Sequence, residues 1–121
     1  MNGVWAALGI AVAGGIGAAA RHLVDHSLPR RARARFPWGI MLINLTGSFA
    51  LGILVGLAID HPLASVLSVG LLGGYTTFSA ASLDTVRLLA RKRCGGALLN
   101  GPGMLLLATA LAAAGILLAR S

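Results

Sequence analysis

The sequence is poor in acidic residues, with only Asp25, Asp60 and Asp84 and no glutamate among its 121 residues. Only 11% of the residues are charged, whereas soluble domains have roughly a quarter. Because no two carboxylates lie close together in the sequence, the pair that general acid–base catalysis commonly uses is missing. The composition therefore argues against a soluble protein and against an acid–base enzyme.

Cysteine is almost absent as well, since Cys94 stands alone. A single cysteine excludes an internal disulfide and a metal site built from several cysteines. The histidines, His22, His26 and His61, lie in predicted loops or at the edges of apolar runs, without the spacing of metal ligands. We therefore predict that the chain is not an enzyme.

Long apolar runs are what the sequence has in abundance. The hydrophobic fraction is 57% and the mean hydropathy is +0.86. Four runs, residues 4–20, 38–59, 63–86 and 104–119, approach the roughly 20 residues that a helix needs to cross a bilayer. We predict one all-α membrane domain, residues 1–121, with four transmembrane helices. The short link 60–62 predicts that the second and third helices pack as a tight antiparallel pair.

Basic residues are concentrated in two connections that a four-helix topology places on one side of the membrane. Lysine and arginine number 10, and the net charge is +7. The first connection has Arg21, Arg30, Arg31, Arg33 and Arg35, the third has Arg87, Arg91, Lys92 and Arg93, and the opposite side has Arg120. Basic connections stay in the cytoplasm, so we predict a cell-membrane protein with both termini outside the cytoplasm. This placement beside apolar runs favours a topology signal over nucleic-acid binding.

Polar residues inside the predicted spans are neutral. Asn44 and Ser48 are four residues apart and share one face of the second helix. An amide at membrane depth is costly unless it is hydrogen-bonded or faces a wet pathway. The pair therefore predicts either a hydrogen bond between helices or the wall of a pore. Thr109 in the fourth span is a candidate for a supporting polar group.

The third run contains GLLGGYTTFSAAS, residues 70–82, which is unusual for a membrane helix. Paired glycines weaken a helix, and threonines can bond to their own backbone. We expect the helix to break here and to free backbone carbonyl groups. Such a break is tolerated where protein buries it or where it lines a cavity, so it is either a packed kink or an ion site.

A proton-coupled exporter of cationic compounds is one alternative for a small four-helix chain. That chemistry requires an ionisable carboxylate within the membrane. The only candidate is Asp84, three residues before Arg87, and this spacing predicts an ion pair at the membrane interface instead.

Three motifs in the same order resemble the Fluc (CrcB) family of small fluoride channels over nearly the whole chain. They are GGIGAAARH, FPWGIMLINLTGSFALG and GLLGGYTTFSAAS. The resemblance implies an antiparallel dimer with two narrow pores for passive fluoride efflux. It implies Asn44 and Phe78 on the pore and Arg21 at the end of the first helix. It also implies a structural sodium ion, Na⁺, for which we expect the carbonyl groups of Gly74 and Thr77 as ligands.

Ser79 and Thr77 have hydroxyl groups that could donate to an anion, and we include Ser79 among the predicted pore residues. In the same segment the sequence departs from the family pattern, because the second phenylalanine would fall at Ala81. The lopsided basic charge is a second departure, since a chain that inserts both ways needs balanced charge. We therefore expect pairing with an oppositely oriented paralogue. A non-conducting partner subunit of a heterodimeric channel stays open as an alternative.

Overall fold

The computed structural model describes residues 3–29, 31 and 36–121 and is all-helical. Four helical stretches in these residues are long and apolar enough to cross a membrane. They are Gly3–His26, Trp38–Leu57, Leu63–Ala90 and Cys94–Arg120, here called the first to fourth spans. The prediction of four apolar helices is confirmed. Arg30, Arg33 and Arg35 of the first basic connection lie outside the described residues.

The third and fourth spans consist of several helical pieces. The pieces of the third are Pro62–Ser65, the π-helical segment Val66–Leu72, Gly73–Tyr75 and Phe78–Ala90. Those of the fourth are Cys94–Leu98, the π-helical segment Leu99–Gly103 and Met104–Arg120. Both π-helical segments face the cavity described below, which agrees with the frequent occurrence of π-bulges at functional sites.

Three spans extend beyond their predicted bounds, and the third does so by continuing from residue 86 to Ala90. The first continues past the apolar run to His26, because loss of hydropathy marks the end of an apolar stretch and not the end of a helix. The fourth begins at Cys94 instead of residue 104. Pro102 lies inside this helix, where the wider π-helical turns accommodate a residue that cannot donate a backbone hydrogen bond.

The second span is the centre of the bundle. In its most apolar stretch of 18 residues, 33% of the residues are buried, against 6–11% in the other three spans. It packs most extensively against the fourth span through close backbone contacts, Gly52 on Ala112 and Gly56 on Ile116. The small-residue spacing in the second helix is thus used for helix packing.

The first half of the third span packs against the first span. Gly70 lies on Ile10 and Ala13, and Gly74 lies on Gly14. The expectation that the second and third spans form the tight pair is therefore wrong, although they follow each other closely along the chain. The reason is that complementary rows of small residues, and not a short link, decide which helices approach most closely.

The buried apolar core lies at the end of the bundle that carries the basic connections. Its members are Phe36, Ile40, Met41, Ile43, Ala81, Leu88, Ala97 and Met104. Large apolar side chains elsewhere on the four spans are exposed, for example Val12, Ile16 and Leu106. A surface of this kind requires lipid or another protein chain to cover it.

Candidate functional site

The third span is interrupted by two residues with extended backbone, Thr76 and Thr77, here called the extended pair. The helix Gly73–Tyr75 ends before them, and the helix Phe78–Ala90 begins after them. Thr76 has φ −80° and ψ 158°, and Thr77 has φ −150° and ψ 119°. The Thr77 hydroxyl accepts the N–H of Ala80 at 3.2 Å, which caps the new helix.

Asn44 of the second span bonds to both backbone groups of Thr77. Its Nδ2 donates to Thr77 O at 2.9 Å, and its Oδ1 accepts from Thr77 N at 2.8 Å. Exchanging the amide nitrogen and oxygen would place two acceptors against each other, so these two bonds fix the orientation of the amide. Asn44 thus supplies the acceptor that Thr77 N would have in a continuous helix, and it adds a donor to the N-cap carbonyl of Thr77.

The face of the second span next to Asn44 is shaped to receive the extended pair. Gly47 lies directly against the Thr76 Cγ2 methyl, and a Cβ at position 47 would overlap that methyl. One residue earlier, the hydroxyl of Thr46 lies 3.0 Å from the hydroxyl of Tyr75. Thr76 Oγ1 donates to Leu72 O at 2.9 Å, within its own span. Side chains from the second span therefore position the residues on both sides of Thr76.

A cavity of about 560 Å³ lies between the second, third and fourth spans, beside the extended pair. Its polar lining consists of Asn44, Ser48, Ser68, Thr76, Thr77, Ser82, Thr85 and Asn100. Phe78, Ala81 and Met104 belong to the apolar lining. No lining residue of this cavity is charged, so a ligand there meets only neutral donors, acceptors and aromatic or aliphatic groups.

Three of the predicted site residues, Asn44, Thr77 and Phe78, come together at this cavity. The Phe78 ring lines it from the edge and is 87% exposed, so it contacts little of its own chain. Ala81, where the family pattern has a second phenylalanine, is buried and also lines the cavity. The structure thus places an aromatic ring at one of these two positions.

The other predicted site residues lie away from the cavity lining. Gly74 packs on Gly14 of the first span, and Ser79 is exposed. Thr109 is exposed and donates to Leu105 O of its own helix at 2.8 Å. Arg21 is half-buried in the first helix, several residues before its end.

Sequence reasoning missed Asn100, which is only 1% exposed. Its Nδ2 donates to Ala81 O at 3.0 Å and to Thr85 Oγ1 at 2.9 Å, so it ties the fourth span to the third. Its Oδ1 has no hydrogen-bond partner among the described residues. The fourth apolar run begins only at residue 104, so apolarity alone leaves Asn100 outside the predicted span. An asparagine between a leucine pair and a Gly-Pro-Gly sequence was the available signal.

Sequence reasoning also missed Met104, which is 5% exposed. Its sulfur accepts a hydrogen bond from Asn44 Nδ2 at 3.2 Å. The Asn44 amide therefore has one N–H on the Thr77 carbonyl and the other on a thioether. Methionine in an apolar helix gives no sign in the sequence of such a contact.

Ionised groups lie outside this cavity. Asp84 pairs with Arg87 at 3.4 Å, which confirms the predicted ion pair. No group of three or more His, Cys, Asp or Glu residues that could hold a metal ion occurs in the part of the chain that the structure describes. A cation bound near the extended pair would depend on neutral oxygen atoms.

Fold and site together define a small membrane protein of four helices with an uncharged cavity at an extended segment of the third span. Comparison with known proteins gives the particular family. The family model described as "CrcB-like protein, Camphor Resistance (CrcB)" matches residues 8–116. The chain belongs to this family, as the sequence motifs indicated.

Several curated relatives resemble the chain over most of its length. Fluoride-specific ion channel FluC 1 of Leifsonia xyli subsp. xyli is 46% identical over 113 residues, covering 90% of this chain and 82% of the relative. FluC of Rhodospirillum centenum is 44% identical over 95 residues, with 74% and 75% covered. FluC 2 of Mycobacterium bovis is 41% identical over 97 residues, with 80% and 75% covered.

Proposed function

We propose that this chain is a subunit of a fluoride-specific ion channel that lets fluoride leave the cell passively and so lowers its toxicity in the cytoplasm. The observation that carries the proposal is the uncharged cavity beside the extended pair, in a chain whose relatives are named fluoride-specific ion channels. An anion pathway needs hydrogen-bond donors at membrane depth, and the cavity lining supplies amide and hydroxyl groups.

Neutral donors suit fluoride because the ion is small and holds its water tightly. A pore has to replace that water without binding the ion so strongly that it stays. A lysine or arginine in the cavity would attract fluoride more strongly than hydroxyls and amides do. The phenyl ring of Phe78 adds a weakly positive edge that can approach an anion.

Efflux by this route requires neither ATP nor a coupled proton. Neutral HF crosses lipid from acidic surroundings and ionises inside the cell, where fluoride then accumulates. A negative interior drives the anion outward with about 2.3 kcal/mol per 100 mV. This agrees with a cavity that lacks a carboxylate, which a proton-coupled exporter would need.

We propose that the channel is an antiparallel dimer in the cell membrane. The exposed Phe78 ring and the exposed apolar faces of the spans support a second chain at this surface, because both need a partner to cover them. With Ala81 in place of a second ring, a dimer of this chain with an oppositely oriented paralogue would combine two different cavities. A partner subunit that does not itself conduct remains the second candidate.

The residues at the extended pair fit a structural sodium ion. Helical hydrogen bonds cannot span two extended residues, so the Gly74 carbonyl loses the donor that a continuous helix would provide. The Thr77 carbonyl accepts from Asn44 and, as the N-cap carbonyl, also belongs to the first turn of the helix Phe78–Ala90, so Na⁺ bound there would share this oxygen with Asn44 or replace the Asn44 donor. We propose these two carbonyl groups as ligands. Bound there, Na⁺ would join the two chains and would not be transported.

Fluoride release from liposomes tests the proposed function. The chain is reconstituted alone and with a co-expressed, oppositely oriented paralogue, and a fluoride electrode records efflux under an imposed membrane potential. We expect fluoride to leave much faster than chloride in at least one of the two preparations. Absence of fluoride release from both preparations would contradict the channel function, and release only with the paralogue would support a heterodimer.

A further inference from the structure

We propose that Met104 is a specificity-determining residue that occupies the second N–H of the Asn44 amide until the permeating anion replaces it. This inference rests on the proposed function and adds a residue that the sequence motifs do not include. The observation behind it is the 3.2 Å contact between Asn44 Nδ2 and the Met104 sulfur, inside the cavity that both residues line.

The two N–H groups of Asn44 have very different partners. One donates to the Thr77 carbonyl at 2.9 Å, and the return bond from Thr77 N at 2.8 Å holds the amide in place. The other donates to a thioether, which is a weak acceptor. A hydrogen bond to an ionised acceptor is roughly twice as strong as a neutral one, so an anion at the cavity outcompetes the sulfur for this N–H.

The Met104 thioether can move away from the Asn44 amide when an anion binds. Its side chain is unbranched and flexible, so the thioether can move aside without displacing the helix. It begins the regular helix Met104–Arg120, directly after the π-helical segment Leu99–Gly103. A movable weak acceptor keeps the N–H bonded in the empty cavity and adds only a small free-energy cost to anion binding. The Asn44 donor can then bind fluoride without trapping it.

Methyl NMR of the reconstituted channel, with [methyl-¹³C]methionine, observes this exchange directly. Met41 is the internal control, because it is also 5% exposed but is not among the residues that line the cavity. The signals are assigned with Met104→Leu and Met41→Leu. Titration with sodium fluoride should shift the Met104 methyl and leave Met41 in place, and sodium gluconate should shift neither.

Replacing the sulfur by a methylene group tests the effect on transport. Norleucine incorporated into the Met41→Leu chain removes the acceptor at position 104 with little change of shape. We expect the half-saturating fluoride concentration to fall about two- to threefold, the size expected for one weak hydrogen bond. Norleucine in the Met104→Leu chain is the matched control and should change nothing.

The outcomes separate this inference from the proposed function. Normal fluoride release, with a Met104 methyl that stays in place and an unchanged half-saturation, would overturn the role of Met104 and leave the channel function standing. If the unmodified channel releases no fluoride, the proposed function fails. In that case a shifted Met104 methyl would still support anion binding at this amide, and an unshifted methyl would overturn it.

Discussion

At the scale of single residues, Asn44 makes the hydrogen bond between helices that its position in an apolar run predicts as one of two alternatives, and the structure adds the partner, Thr77. Its amide nitrogen donates to Thr77 O and its amide oxygen accepts from Thr77 N. A neighbouring strand would provide the same pair of backbone hydrogen bonds in a sheet. Its predicted place at the pore and its hydrogen bonds to Thr77 are compatible, because the residue also lines the cavity. Substitution of Asn44 should therefore affect both structure and transport.

Asn44→Asp and Asn44→Ala should both lower fluoride efflux at least about tenfold. A carboxylate can still accept the Thr77 N–H but cannot donate to Thr77 O, and it places negative charge in the path of the anion. Alanine loses both bonds. Initial efflux rates at equal protein content measure the effect, and Leu42→Ala, an exposed position on the same helix, is the control. Retained flux in Asn44→Ala would show that holding Thr77 is unnecessary.

Gly47 should be intolerant of even one methyl group. Gly47→Ala puts a Cβ into the Thr76 Cγ2 methyl and 3.2 Å from Tyr75 Cδ2, so we expect a loss of about 1–3 kcal/mol in stability. Thermal unfolding in detergent measures it. Adding Thr76→Ser removes the opposing methyl and should restore part of the loss.

Gly15→Ala is the matched control for Gly47, because nothing lies within 4 Å of the added Cβ. It should be neutral or slightly stabilising, since alanine favours a helix more than glycine does. Equal unfolding temperatures for Gly47→Ala and the unmodified chain would contradict the close approach of the second span to the extended pair.

At the scale of elements, the helices pair through rows of small residues. The second span meets the fourth, and the first meets the leading half of the third. This arrangement leaves the second half of the third span to face the cavity together with the second and fourth spans. The pairing of helices thus decides where the cavity forms.

Gly52→Ala should separate the second and fourth spans. The added Cβ would overlap backbone atoms of Ala112, which cannot rotate away as a flexible side chain can, so we expect a loss of about 1–3 kcal/mol. The unfolding midpoint in detergent reports it. Gly95→Ala, with open space around its Cβ, should leave the midpoint unchanged. Similar midpoints for both variants would contradict the observed helix pairing.

At the scale of the whole molecule, the distribution of basic residues bears on orientation and assembly. Arg87, Arg91, Lys92 and Arg93 lie at or near the end of the third span, and Arg120 lies at the opposite side of the bundle. Basic segments resist translocation across the membrane. A chain with this bias should insert predominantly one way, and an antiparallel dimer would then need a differently charged partner.

A reporter fused after Ser121 tests this orientation in cells that express the chain alone. We expect the C-terminus outside the cytoplasm in a large majority of molecules, because the basic connections stay inside. Replacing Arg91, Lys92 and Arg93 by alanine while adding lysines after Ser121 should shift molecules to the opposite orientation. Equal populations of both orientations for the unmodified chain would contradict one-way insertion and favour a homodimer.

The sequence by itself determined the class of protein and pointed to several of the residues that line the cavity. Long apolar runs predict four helices because about 20 apolar residues are needed to cross lipid, where a helix satisfies its own backbone hydrogen bonds. Both requirements can be read from composition and length. The second and third motifs predict the family and bring Asn44, Thr77 and Phe78 into consideration. Polar residues in an apolar run stand out, and for that reason they could be found without coordinates.

Only the tertiary structure decided which atoms meet. The Asn44–Thr77 bonds, the Met104 sulfur at the same amide and the buried Asn100 depend on helix pairing and on the rotation of each helix about its axis. Ser79 and Thr109, chosen from the sequence for their hydroxyls, lie outside the cavity lining for the same reason. Close contacts between small residues fix these rotations. These contacts form only where the shapes of two spans distant in sequence are complementary. Periodicity and composition do not give that information.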